Sequence, residues 1–194
     1  MINEMDAQKE GATIAKVIRE RRSIRDFKPD PISVELVIEL LNDAVWAPNH
    51  GLREPWRFIL FQGEGKKKFA HAVIETYTAE NKAKWEQQML KYYLDVPLHL
   101  VVVMKEDPRQ KKWEEDFSAT SALIQNFQLL AWEKGVGVVW KTNDYNLEPS
   151  FHKAAGIKPG EKIVGTLHIG YFEKAPKPAP RTKAEERLTI ISGN

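Results

Sequence analysis

The sequence predicts an α+β fold built as one domain, with about four strands and five or six helices. Its length of 194 residues fits one ordinary domain. Helix-spaced apolar segments and short apolar runs follow one another without regular βαβ alternation, and no internal repeat occurs. We therefore treat residues 1–194 as a single domain with a flexible N-terminus over 1–11 and an extended C-terminal arm over 175–194.

The first two predicted elements are amphipathic helices. Apolar residues at helical spacing predict a helix over residues 12–22 that ends in arginines. A turn follows, and Ser33 is a typical N-cap for the next helix. Because proline disfavours helical geometry before it, this second helix ends before Pro48.

The middle of the chain alternates strand and helix. An apolar run predicts a strand over Trp56–Phe61, and helical spacing resumes over Lys66–Tyr77. Residues 78–95 are polar with interspersed aromatics, which favours a helical excursion with ends that the pattern does not place. Nearly every position of Leu98–Met104 is apolar, as in a strand covered on both faces.

The last third supplies the longest helix and two strands. The helix spans Glu114–Lys134, and Gly135 is its expected C-terminal glycine. Strands are predicted over Val136–Trp140 and Ile163–Tyr171. The tail is rich in proline, which excludes a helix or a central strand and favours an extended arm.

Composition excludes several classes of function. No cysteine is present, so the chain has no thiol nucleophile, disulfide or cysteine-ligated metal. The histidines lack metal-binding spacing. The formal net charge of +2 gives no reason to expect a nucleic-acid partner, and no apolar stretch is long enough for a membrane helix. The polar N-terminus is not a secretory signal, so we expect a cytoplasmic protein.

Three arginines and a hydroxyl fall within five residues at the end of the first helix. Arg21, Arg22, Ser23 and Arg25 have the chemistry of a phosphate clamp, because guanidinium groups bind phosphate by charge-assisted hydrogen bonds. The alternative is a basic helix C-terminus that interacts with the helix dipole. Asp26 lies within this cluster and is expected to be an ion-pair partner rather than a general base.

Two further motifs accompany the arginines. Residues 47–56, APNHGLREPW, form a polar loop that enters a strand, and the alternative is a simple connector with Trp56 in the core. Residues 135–142, GVGVVWKT, place two glycines before and within a strand and a lysine at its end. This is not a GxGxxG dinucleotide fingerprint, because no third glycine follows.

Together and in this order, the motifs resemble the nitroreductase family of FMN-dependent oxidoreductases. The resemblance covers about Ala15 to Arg187 and is closest to the small single-domain NAD(P)H nitroreductases. It implies a central, mainly antiparallel sheet flanked by helices, in an intertwined homodimer with FMN at the subunit interface.

The resemblance also implies roles for individual residues. Arg21 and Ser23, with Arg181 on the arm, would hold the FMN phosphate, Arg22 would line the ribityl chain, and Arg25 would approach the pyrimidine edge as an electrostatic stabiliser. No side chain is expected to act as a catalytic acid, base or nucleophile. Two further sets complete the expected cofactor site. The loop that closes over the flavin, from the same or the partner subunit, contains Pro48, Asn49 and His50. The residues expected beside the flavin ring or its edge are Val139, Trp140, Lys141 and Thr142.

Two positions depart from the family pattern. Leu52 stands where many relatives have a flavin-contacting asparagine, and Glu54 stands where a glutamine is usual. The leucine cannot donate a hydrogen bond to the flavin. The carboxylate would be unfavourable beside a reduced flavin unless it were paired, and Arg53 is the expected partner.

The resulting hypothesis is an FMN-dependent enzyme that takes hydride from NAD(P)H and passes it to a small nitroaromatic, quinone-like or similar acceptor by ping-pong turnover. Three alternatives remain at this stage. They are a flavin-storage protein without efficient turnover, a flavin-dependent reductive dehalogenase, and a small basic nucleic-acid-binding protein. The sequence does not separate NADH from NADPH.

Overall fold

The computed structural model of the chain describes residues 14–193, and within them the α+β fold is confirmed. The described helices are α1 over residues 14–20, α2 Val34–Ala44, α3 Gly65–Ile74, α4 Ala79–Asp95, α5 Gln110–Glu133 and α6 Pro149–Ala155. The strands are β1 Trp56–Phe61, β2 Leu98–Lys105, β3 Val136–Lys141 and β4 Glu161–Tyr171. Short 3₁₀ turns occur at His50–Leu52, Asp144–Leu147 and Ala184–Arg187.

The four strands form one antiparallel sheet in the order β1-β2-β4-β3. β2 and β4 are therefore central, and β2 is buried at every position except its last, as its apolar run predicts. The segment after α1 extends the sheet beyond β3: Ser23 forms a parallel bridge with Val138, and the Ile24 N–H donates to the Val138 carbonyl at 3.2 Å.

Helices cover both faces of the sheet. On one face, α2 and α5 contribute Leu40, Leu123 and Phe127 to the larger core. On the other face, α3, α4 and α6 surround Phe69, a fully buried ring that packs against Tyr93 and other aromatics. Each face of β2 thus meets its own apolar layer, which explains why the strand has no polar side.

Local signals fixed some element ends and not others. Ser33 caps α2 as predicted, its hydroxyl accepting from the Leu36 N–H at 3.2 Å. Thr78 caps α4 in the same way and sets the start that the sequence pattern left open. α5 begins at Gln110, four residues before Glu114, and the Gln110 amide donates to Glu114 at 2.9 Å in the added turn.

The chain after β4 differs from the rest of the domain. Residues 176–193 are exposed, and apart from the short turn at Ala184–Arg187 they form neither helix nor strand. The alternating prolines at 176, 178 and 180 account for the absence of a ladder here, since proline has no N–H to donate. The predicted flexibility of residues 1–11 lies outside the described residues.

Candidate functional site

The arginine motif and the glycine motif lie side by side at the outer edge of β3. The bridge between Ser23 and Val138 brings them together. Gly137 permits the contact, because a Cβ at this position would stand 2.7 Å from Ile24 Cγ1 and 2.8 Å from Phe172 Cδ1. Any larger residue would push the segment after α1 away from the strand.

Two arginines of this segment are half-buried without a carboxylate to balance them. Arg22 Nη1 donates to the carbonyls of Arg19 and Arg21 at 2.7 Å each, so it also caps the end of α1. Arg21 Nη1 lies 3.5 Å from the amide oxygen of Gln128 on α5. The Nε atoms of both arginines are buried and have no hydrogen-bond partner among the described residues.

Three further cations extend this charge. Burial lowers the pKa of Arg21, and the neighbouring charges of Arg22 and Arg181 lower it further. Burial and the charge of Arg25 lower the pKa of Lys141 in the same way. We call these five residues the cation cluster: Arg21, Arg22, Arg25, Lys141 and Arg181. Within residues 14–193 none of them forms an ion pair. Like charges held together without counter-charge favour a bound anion.

The main chain of β3 adds unpaired donors and acceptors beside the cluster. Because hydrogen-bonding direction alternates along an antiparallel strand, Val139 turns its N–H and carbonyl toward β4, whereas Val138 and Trp140 turn theirs outward. The outward carbonyl of Val138 is used by Ile24. The outward groups of Trp140 have no partner in the described chain, and exposed Thr142 follows just past the strand end.

The Trp140 ring has a structural role on the α5 face of the sheet. It packs against Gly165, where a Cβ would overlap the indole, and its Nε1 donates to the Val164 carbonyl at 3.2 Å. The ring also belongs to the larger core. Trp140 therefore offers its backbone, and not a free aromatic face, to a ligand at the strand edge.

A groove of about 700 Å³ runs between the arginine segment and the first residues of the arm. Ser23 and Arg25 line one side, and Lys174 and Lys177 lie on the other. Asp26 also borders this groove, but it is exposed and forms no ion pair with any described residue, so the prediction of an ion-pair role was wrong.

The loop of the second motif lies elsewhere in the chain. Pro48 and His50 are exposed, and Asn49 closes its own loop: its amide nitrogen donates to the Ala47 carbonyl at 3.3 Å, and its amide oxygen accepts from the Glu54 N–H at 3.0 Å. This loop leads into β1, at the opposite edge of the sheet from β3. With about 4.8 Å between neighbouring strands, the two edges are roughly 14 Å apart. One chain therefore does not bring the second motif to the cation cluster.

The two unusual residues of this loop have a strained backbone. Leu52 has φ 49° and Glu54 has φ 44°, both in the left-handed region that favours glycine. The Leu52 side chain is 82% exposed. The structure thus holds an apolar side chain out into solvent at the position where the family resemblance implies an asparagine.

The expected pairing of Glu54 with Arg53 was wrong. Arg53 turns instead toward α5, where its Nη2 lies 2.7 Å from Asp116 Oδ1 and 3.4 Å from Glu115 Oε2. The hydrogen bond to Asp116 raises the pKa of Arg53. Asp116 is buried, and a buried carboxylate without a cation costs free energy, whereas Glu54 is exposed and hydrated. The guanidinium therefore pairs with Asp116.

Two polar residues near the cluster were not predicted from the sequence. Gln128 is buried within α5 and contacts Arg21. Gln125 and Asn126 stand in the same stretch, so the sequence has no signal that singles Gln128 out. Tyr92 on α4 is half-buried beside His168 and within the field of Arg25. His99 and His168 are fully buried in the core.

Residues 14–193 contain neither a metal-binding cluster nor a membrane-spanning helix. No group of three or more histidine, aspartate or glutamate side chains is arranged to hold a metal ion in this part of the chain. None of the described helices combines the length and apolar character that crossing a bilayer requires.

Comparisons with known proteins agree with the sequence motifs. The model of the nitroreductase family matches residues 18–171. YfhC of Bacillus subtilis, which carries a provisional name as an NAD(P)H nitroreductase, is 36% identical over 182 residues, covering 92% of this chain and 94% of its own length.

Solved structures give the same fold. A nitroreductase-like family protein from Bacillus cereus superposes with a TM-score of 0.90 at 50% identity, covering 93% of this chain and 96% of its own. A nitroreductase with bound FMN from Desulfitobacterium hafniense superposes with a TM-score of 0.67 at 20% identity, covering 93% and 98%. At that identity the second likeness concerns the fold alone.

Proposed function

The chain belongs to the nitroreductase family, and from this premise we propose that it is an FMN-dependent NAD(P)H oxidoreductase that reduces a nitroaromatic, a quinone or a similar acceptor. Several relatives carry nitroreductase names, and structural neighbours contain FMN. A reductase of this kind draws on the NAD(P)H pool, which favours a cytoplasmic location.

The observation that carries the proposal is the cation cluster at the outer edge of β3. Five cations and the unused main-chain groups of Trp140 surround one strand end, and no described carboxylate neutralises them. The orphaned Nε atoms of Arg21 and Arg22 are buried donors that need an acceptor. A phosphate-bearing ligand with a hydrogen-bonding ring system meets both requirements, and FMN is such a ligand.

Each group has a distinct task in this proposal. When bound, FMN would supply the hydride-transfer chemistry of ping-pong turnover between NAD(P)H and the acceptor. Arg21, Ser23 and Arg181 hold the phosphate, and Arg22 closes the helix end beside the ribityl chain. Arg25 and Lys141 lie along the strand end and stabilise negative charge on the ring without transferring a proton.

The second motif enters this proposal through a second copy of the chain. Pro48, Asn49 and His50 lie at the β1 edge, roughly 14 Å from the β3 edge of the same sheet. A homodimer supplies this loop from the partner to the cation cluster of the first chain. The proline-rich arm, which is exposed over residues 176–193, is the segment proposed to reach across the interface.

Purification without added cofactor tests the function. We expect a yellow protein with a flavin absorption spectrum. NADPH or NADH should bleach this absorption in the absence of oxygen, and nitrobenzene or a quinone should then restore it. A colourless protein that FMN fails to reconstitute would refute the proposal. Bound flavin that neither dinucleotide reduces would favour the storage alternative, and recovery by a halogenated aromatic alone would favour dehalogenation.

Mixed dimers test the shared site. Arg21→Ala and Asn49→Ala each lower activity when present in both chains. In a heterodimer of the two variants, one site carries both changes and the other carries neither. Recovery of about half the wild-type activity supports a site built from two chains, whereas no recovery shows that each chain supplies its own site.

A further inference from the structure

The Tyr92 hydroxyl lies beside the cation cluster on the α4 face of the sheet. It stands 3.4 Å from Nδ1 of His168, with ring centroids 5.9 Å apart. Burial raises the pKa of Tyr92, and the charges of Arg25 and Asp26 also act on it, so both lie near the phenol. The hydroxyl is therefore protonated at neutral pH and borders the proposed flavin site.

His168 connects this tyrosine to the strand that carries the site. It lies on β4 directly opposite Val139, so the two side chains share one face of the sheet, as does Lys141 two residues further along β3. Burial, with the neighbouring His99 and Lys141, holds the pKa of His168 well below its ordinary value. The imidazole is therefore neutral, with one donor and one acceptor nitrogen.

His99, the next imidazole, has a fixed hydrogen-bonding direction. Its Nε2 lies 2.9 Å from the Tyr93 carbonyl, which only accepts, so Nε2 carries the proton. Burial lowers the pKa of His99 to about 3, so this ring is neutral as well. It meets His168 edge to face, with centroids 4.7 Å apart.

The surroundings of His168 select one tautomer. Its Nε2 is buried and has no hydrogen-bond partner among the described residues. A proton on Nε2 would leave a buried donor unsatisfied, whereas a proton on Nδ1 donates to the Tyr92 oxygen. With Nδ1 protonated, the Tyr92 oxygen accepts from His168, and its own O–H remains free to donate to an oxygen of a ligand.

We infer that the Tyr92 hydroxyl donates a hydrogen bond to an oxygen of the electron acceptor, and that the buried His168 is the positioning residue that turns it there. The inference rests on the proposed function, in which the acceptor is an aromatic molecule with a nitro or carbonyl oxygen. A quinone gains two electrons and one proton as hydride, and one proton from water completes the hydroquinone. Tyr92 stabilises the developing charge and keeps its own proton.

Ligand binding to the oxidised, FMN-loaded protein tests the tyrosine without turnover. Nitrobenzene and chlorobenzene share the ring, and only the first has oxygens; each dissociation constant is read from the flavin spectrum. Tyr92→Phe is expected to weaken nitrobenzene about fivefold to tenfold and to leave chlorobenzene and FMN binding unchanged. Tyr93→Phe removes the neighbouring hydroxyl, which belongs to the core around Phe69. This control should change the affinity for neither nitrobenzene nor chlorobenzene. Equal weakening of both ligands, no weakening, or a loss of FMN instead would overturn the inference.

The tautomer provides a readout on the unaltered protein. ¹⁵N NMR of His168 should show Nδ1 protonated and Nε2 unprotonated, and the opposite assignment would overturn the positioning role. Of two variants, His168→Asn keeps a donor near Nδ1 and should retain nitrobenzene affinity, whereas His168→Leu should match Tyr92→Phe. Equal affinity in the two folded variants would also contradict the role, and if both unfold the NMR assignment decides.

Failure of this inference is distinct from failure of the proposed function. Anaerobic bleaching of wild-type flavin by NADPH tests the function alone, because it requires no acceptor. A protein that passes that test and binds nitrobenzene equally well with and without the Tyr92 hydroxyl is a nitroreductase-like enzyme in which Tyr92 has no role.

Discussion

The arginines at the two edges of the sheet differ in whether a carboxylate neutralises them. At the β1 edge, Arg53 is neutralised by Asp116 and Glu115, and Arg57 donates to Glu161, with Nε 2.8 Å from Oε1. At the β3 edge, the cation cluster has no carboxylate partner among the described residues.

The difference separates arginines that stabilise the fold from arginines available to a ligand. A paired guanidinium has already used its charge and hydrogen bonds within the chain. A half-buried guanidinium without a partner lowers stability until an anion binds, because desolvation and like-charge repulsion are uncompensated. Function is therefore expected where the arginines are unpaired, and stability where they are paired.

The largest expected effect comes from the unpaired edge. Arg21→Ala should weaken FMN binding about tenfold to hundredfold, because it removes charge-assisted hydrogen bonds to the phosphate. FMN fluorescence quenching measures the dissociation constant. Arg19→Ala, two residues earlier on the exposed face of α1, is the matched control and should have little effect. Equal FMN affinities of the two variants would contradict the assignment of the β3-edge arginines to ligand binding.

Gly137→Ala tests whether the unpaired edge depends on close packing. The added Cβ would overlap Ile24 and Phe172, displacing the arginine segment from β3. We expect about 2 kcal/mol of destabilisation and weaker FMN binding together. Urea unfolding and FMN titration measure the two effects. Gly65→Ala, at a helical position with open space, is the control and should leave both unchanged or slightly improved. Wild-type behaviour of Gly137→Ala would contradict the contact.

At the paired edge, Arg53→Met should act on stability alone. The substitution leaves the buried carboxylate of Asp116 without its cation, and the melting temperature should fall by roughly 4 °C. The affinity of the folded protein for FMN should not change, because Arg53 is not part of the cation cluster. Asp116→Asn in the same background should recover part of the loss, and an Arg53→Met protein as stable as wild type would show that the pair is dispensable.

The smallest expected effect is a pH dependence at the paired edge. The hydrogen bond from Arg57 lowers the pKa of Glu161, so the pair adds stability above the unfolded-state pKa of about 4.3. That stability is lost as pH falls through the lowered folded-state pKa. Arg57→Met should therefore reduce the difference in unfolding free energy between about pH 7 and pH 3. An identical pH profile for variant and wild type would contradict the assignment.

Local sequence signals predicted most of the fold. Ser33 caps its helix through its own neighbours, and the apolar run at Leu98–Met104 needs cover on both faces wherever it lies. Such features depend on residues close in sequence or on burial alone. α5 begins at Gln110 and not at Glu114 as predicted; the hydrogen bond between these two side chains, four residues apart, is a local signal that the prediction did not use.

The candidate site was predictable in part for the same reason. The arginines at 21–25 and the strand at 136–140 were identified from their composition and from the family resemblance. Tyr92 and Gln128 were not, because neither is unusual until the fold places it beside a cation. The pairing of Arg53 with Asp116 was likewise invisible, since the two are distant in sequence and Glu54 is adjacent.

The sequence by itself determined which chemistry this protein carries: no thiol, a dense run of arginines, and helices and strands at recognisable positions. The tertiary structure decided which of the charges remain available. Electrostatic pairing depends on distance in space and on burial, and both are set when α5 covers one face of the sheet and the arginine segment adds to β3. Of the arginines on the two edges, only those at β3 were left without a carboxylate partner in the described chain.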